Sequence, residues 1–173
     1  MFDPTVFENL MVGIENVVYD LDNLEEKVRI VNRINRMELS VLSREFALRF
    51  IRPGHEQIVA EIGLLASVKD LADEILERPL TSPACSLRIS FDLPLTDPEV
   101  QCPQIGQLLL ELWGPDVPVT QTLTEVYGAA AEPVLCRAEL NFARRVNEEQ
   151  MGDISGLADY MLLTLERLED VIR

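Results

Sequence analysis

Four stretches of the chain alternate apolar and polar residues with period two, the spacing of a strand that turns one face to a core. Phe46, Leu48 and Phe50 alternate with Glu45, Ala47 and Arg49, and after a Pro53-Gly54 turn Ile58, Ala60, Ile62 and Leu64 recur at the same period. Leu87, Ile89, Phe91, Leu93 and Leu95 alternate with Arg88, Ser90 and Asp92, and Cys136, Ala138, Leu140 and Phe142 with Arg137, Glu139, Asn141 and Ala143. Val28-Arg29-Ile30 begins another alternation, and the Thr- and Val-rich segment 119–127 is a further strand candidate.

Between these lie segments of helical spacing. Asp3-Pro4 supplies an N-cap and a first helical residue for a helix over about 4–18, marked by Phe7, Leu10, Ile14 and Val17. Gly13 and the β-branched Val17-Val18 weaken its end, where a strand over 17–19 is an alternative. The same spacing runs on through Leu24, Val28 and Val31, as a longer helix or coiled coil would have it, but the alternation from Val28 argues against that. Ser67-Val68-Lys69-Asp70 reads as a capping box opening a run of Leu71, Ala72, Ile75 and Leu76. Pro103 opens a helix through Ile105, Leu108, Leu109 and Leu112, which Gly114-Pro115 stops. Ile154, Ala158, Met161, Leu165, Leu168 and Ile172 mark a last helix of roughly nineteen residues, about 28 Å long. Its apolar stripe also takes in Leu157, Leu162 and Val171.

The order is helix, three strands, helix, strand, helix, two strands, helix. Grouped strands with intervening helices predict an α+β fold: one domain over 1–173, a mainly antiparallel sheet of five to six strands, and helices on one face, including N-terminal and long C-terminal helices. Residues 78–85 give the strongest loop signal.

Composition narrows the function classes. Hydrophobic residues make up 47% of the 173 and aromatics only 6%, so the core must be mostly Leu, Val and Ile. A formal net charge of −15 argues against nucleic acid and anionic membrane as partners. No apolar run approaches the roughly 18–20 residues that span a bilayer, and Met1-Phe2-Asp3-Pro4 has no basic signal-peptide region, so a soluble cytoplasmic protein is expected. Cys85, Cys102 and Cys136 are too widely spaced for a zinc or redox motif.

Catalytic chemistry has little to start from. His55, the one histidine, follows a Pro-Gly turn, and no nucleophile or orienting carboxylate can be assigned to it. No nucleophile elbow, phosphate loop or dinucleotide fingerprint is present. Asp20, Asp22, Glu25 and Glu26 begin like a calcium loop, but the sixth position is Glu25 where a glycine must turn the chain. Neither a metal nor a cofactor is expected.

The distribution of charge is more informative. Residues 27–52 hold seven basic and two acidic residues, a net +5 inside a chain whose remainder carries −20. In strand phase Arg29 and Arg33 share a face away from Val28 and Ile30, while Arg49, Arg88, Arg137 and Arg145 fall opposite their apolar neighbours. Helices on the apolar face would leave an Arg-rich array on the other. These arginines either pair with Glu45, Asp92 and Glu139 across strands, or form a receptive face for an anion, a nucleotide or an acidic segment of a second subunit. The leading expectation is a non-enzymatic protein–protein interaction module, a homodimer joined through the last helix or a sheet edge. The alternative is a binding domain for a small anionic ligand or nucleotide at the Arg-rich face, with an enzyme using His55 or the arginines in third place. The element order and the acidity are similar to those of the small acidic chaperones of type III secretion and the related YbjN-like domains, a likeness that implies a chaperone- or adaptor-like role. The helix at 103–113 departs from that order.

Overall fold

Thr5 opens the first helix, α1 (Val6–Asn23), through a capping box: its hydroxyl accepts from the Glu8 N–H, and the Glu8 carboxylate accepts from the Thr5 N–H. The structure, a computed structural model, describes residues 5–79, 82–129 and 132–173, so Asp3 and Pro4, and Leu80 and Thr81 of the 78–85 loop, lie outside the described residues. Val17 and Val18 stay helical and α1 runs on to Asn23, because Val18 and Leu21 are buried with Phe7, Leu10 and Ile14. Burial against a sheet outweighs the few tenths of a kcal/mol by which β-branching disfavours a helix.

Three strands follow: β1 (Arg29–Glu38), β2 (Ser43–Arg52) and β3 (His55–Ala66). Then come α2 (Val68–Ile75), β4 (Ser86–Leu95), α3 (Pro98–Trp113), β5 (Val119–Thr124), β6 (Val134–Asn141), a 3-10 turn (Glu148–Asp153) and α4 (Ile154–Ile172). The fold is α+β, with one six-stranded sheet in the order β1-β2-β3-β4-β6-β5 and every neighbouring pair antiparallel. The third helix starts earlier than expected. Asp97 caps it and Pro98 opens it, leaving Pro103 inside. Gln101 secures this start, accepting from the Thr96 and Asp97 N–H groups and donating to the Val171 carbonyl of α4.

Register aligns the core in rows across the strands. Leu48, Ile62, Ile89 and Leu140 form one row, and Phe50, Ala60, Phe91 and Ala138 the next. All eight are at most 1% exposed, whereas Leu87 and Phe142, expected with them, are only partly buried. α1, α3 and α4 join this same cluster, so among the described residues the helices cover one face of the sheet and not the other. α4 spends its stripe here. Met161, Leu165 and Leu168 are buried, and Leu157, Leu162, Val171 and Ile172 pack partly buried against the core. The width of that stripe, which suggested a dimer contact, is used within the chain by the sheet and the flanking helices. Among the described residues no helix is long and apolar enough to cross a membrane.

Candidate functional site

The arginines come first, because six of them were expected to act together. A β-bulge between Ile30 and Asn32 breaks the strand phase of β1. Arg33 therefore stands opposite Leu48 and Arg29 opposite Ile51, on opposite faces of the sheet. The shared face expected for this pair is a misreading of register. Arg33 lies on the helix side, its guanidinium 5.6 Å from the Phe46 ring centroid and 2.5 Å from Glu15 of α1. Arg29 pairs with Glu56 at 2.6 Å. Arg145 lies beyond β6 and joins Asp70 of α2 at 2.5 Å and the Ala84 carbonyl at 2.8 Å.

Only Arg49, Arg88 and Arg137 meet, on the uncovered face. Glu61 stands at their centre, 5% exposed at its side chain, with Arg137 at 2.9 Å, Arg88 at 3.0 Å and Arg49 Nε at 3.5 Å. Asp92 bridges Arg49 and Arg137, and Glu45 bridges Arg88 and Arg36. Glu139 flanks Arg137 at 3.9 Å, so four guanidinium groups meet four carboxylates. Burial works against the charge on Glu45, but the hydrogen bonds from Arg88 and Arg36 outweigh it and hold its pKa below the usual carboxylate range. For Asp92 burial prevails over Arg137 and Arg49, and its pKa is raised. The network is neutral and leaves no excess cation for an anion to answer.

The basic segment 27–52 dissolves in the same way. Each of its seven cations has a carboxylate partner, and six reach outside the segment: Lys27 to Glu25, Arg29 to Glu56, Arg33 to Glu15, Arg44 to Glu8, Arg49 to Asp92 and Arg52 to Glu169. Charge segregated along the sequence is mixed in space.

His55 gains a partner the sequence did not show. Its Nδ1 lies 3.0 Å from Glu169 of α4, whose other oxygen accepts from Arg52 at 2.6 Å. A hollow of about 410 Å³ adjoins them, but its lining (Gly54, His55, Glu56, Gln57, Ile58, Glu169, Ile172 and Arg173) offers no hydroxyl or thiol nucleophile. The cluster ties the end of α4 to the β2–β3 turn. Burial pushes the Cys85 thiol up to about 12 and that of Cys136 to about 11, far from nucleophilic. Asp22 accepts from the Ile30 N–H at 2.9 Å, and among the described residues no three His, Cys, Asp or Glu side chains are grouped to hold a metal ion.

A different feature stands out at one end of the sheet. α2 has the apolar stripe of an amphipathic helix, but much of that stripe is left outside the core. Val68, Ile75 and Leu76 are 47%, 73% and 59% exposed, while Asp73 is buried. Carboxylates dock this helix: Asp70 takes Arg145, and Glu74 accepts from the Val6 N–H at 2.7 Å. Burial opposes the charge on Asp70, yet Arg145 and the Ser67 cap bring its pKa down to about 2. Of the stripe, Leu71 packs partly buried against the core.

The β1–β2 turn leaves from the same end, since Arg44 of β2 pairs with both Met37 of β1 and Ala66 of β3, the residue before the Ser67 cap. Its tip is apolar and exposed: Leu39 75%, Val41 59%, Leu42 49%, with Met37 at 50%. Leu42 also sits at φ +51°, a left-handed conformation that favours glycine or asparagine. The sequence held these residues in plain view, but a stripe reveals a sticky side without saying what covers it. No protein-family model matches the chain, and neither a curated protein nor a solved structure shows significant similarity to it.

Proposed function

We propose that the chain is a non-enzymatic protein–protein interaction module whose contact is the apolar end of the sheet, made by α2 and the β1–β2 turn. The observation that carries this reading is the orientation of α2: it is docked by Asp70 and Glu74, and Ile75 and Leu76 face outward. Exposed apolar residues scattered singly are ordinary, but a helix stripe and a turn tip at one sheet end together make the kind of patch that marks a contact site. The alternative, a site for a small anion, has no comparable support, since the guanidinium groups on the uncovered face are matched by carboxylates.

A photoreactive residue placed at Leu76, and as a control at the exposed Glu166 of α4, tests the reading in the cells that produce the chain. It expects discrete adducts at position 76 that are missing at position 166. An adduct at twice the chain mass would identify the homodimer, and other masses a different protein. Absence of adducts at 76, or the same set at both positions, contradicts it.

A further inference from the structure

Resting on the interaction reading, we propose that the occupant of the apolar end is a net-basic amphipathic segment of another protein. The exposed apolar residues at this end, Leu39 and Val41 on the turn and Ile75 and Leu76 on α2, call for an apolar stripe on the partner. The charge around it decides what the rest of that partner carries. Of the basic groups at this end, Lys69 and Arg78 pair with Asp73, Arg145 with Asp70, Arg36 with Glu45 and Arg44 with Glu8. Glu77 is exposed directly after Leu76, and Glu38 stands at the base of the turn. Beyond them the whole chain carries −15, so its long-range field attracts cations and repels a second copy or an anionic lipid surface. Complementary charge steers encounter and excludes wrong partners, while the buried stripe supplies affinity.

Three fluorescent peptides separate these contributions by anisotropy: a leucine-striped helix with a lysine polar face, the same stripe with glutamate, and the lysine composition scrambled to destroy the stripe. The lysine helix is expected to bind at least about tenfold more tightly than either of the others, and more weakly as salt shortens the screening length to about 8 Å. Ile75→Ser with Leu76→Ser, and separately Leu39→Ser with Val41→Ser, should each weaken it at least about tenfold with unchanged circular dichroism and melting temperature. Equal binding of the lysine and glutamate helices, or no binding of the lysine helix, overturns the charge assignment. If photo-adducts at position 76 persist in that case, the interaction reading survives and only the occupant is wrong. A doubled mass in sedimentation equilibrium that Ile75→Ser abolishes assigns the patch to a second copy instead, and flotation with phosphatidylcholine vesicles assigns it to lipid. Either result also overturns the proposal.

Discussion

α2 and α4 carry the same kind of apolar stripe and use it in opposite ways. α4 lies along the sheet, and Met161, Leu165 and Leu168 disappear into the core at no more than 1% exposure. α2 is a short excursion from β3 to β4 at the sheet end, anchored through Asp70 and Glu74, with Ile75 at 73% exposure. A hydrophobic stripe is thus a statement about a helix, not about its environment. What decides the outcome is whether sheet surface lies beneath it.

The contrast breaks most readily at α4. Leu168→Ala should cost about 2–5 kcal/mol in chemical denaturation, because it opens a cavity in a closed core. A loss below about 1 kcal/mol would place the residue outside the core and make the two helices alike.

The docking of α2 can be tested through pH. The folded-state pKa of Asp70 is about 2, below the roughly 3.9 of an unfolded aspartate. Its contribution is therefore present above about pH 4 and disappears as pH falls toward about 2, because the unfolded chain takes up the proton first. Glu8 and Glu45 are shifted the same way, whereas the raised Asp92 works in the opposite sense. Asp70→Asn should cost roughly 1–3 kcal/mol at neutral pH and flatten the acid limb of melting temperature against pH. An unchanged limb would mean that Arg145 does not hold α2.

The smallest effects belong to the exposed stripe. Ile75→Ser should change stability by no more than about 0.5 kcal/mol, since the side chain is 73% exposed. Leu42→Gly relieves a left-handed backbone at φ +51° and should stabilise by up to about 1 kcal/mol while weakening partner binding. A large loss from either change would show that the apolar end is packed within the fold.

Much of the architecture could be read from period alone. The alternation through Phe46–Phe50 and Ile89–Leu95 located strands because one face of each is buried throughout, and Ser67 and Gly114 stopped or started helices by local chemistry. Pro103 misled because proline is favoured at the first helical position, but Pro98 after the Asp97 cap fills that position and Pro103 lies inside the helix. The site was far less legible. One extra residue near Val31 shifts β1 by a register and moves Arg33 to the helix side, and no composition signal marks such a bulge. The charged segment misled for a related reason. Arg52 finds Glu169 across 117 residues of sequence, and no count within a window anticipates that neutralisation.

Methyl NMR of the isoleucine, leucine and valine side chains, recorded while the lysine-faced helical peptide is titrated in, tests the central claim most directly. The account predicts that shifts concentrate on Leu39, Val41, Leu42, Val68, Ile75 and Leu76 and leave Leu110 of α3 and Leu163 of α4, also exposed, unmoved. Shifts centred on the α3–α4 surface, with the apolar end silent, would contradict it.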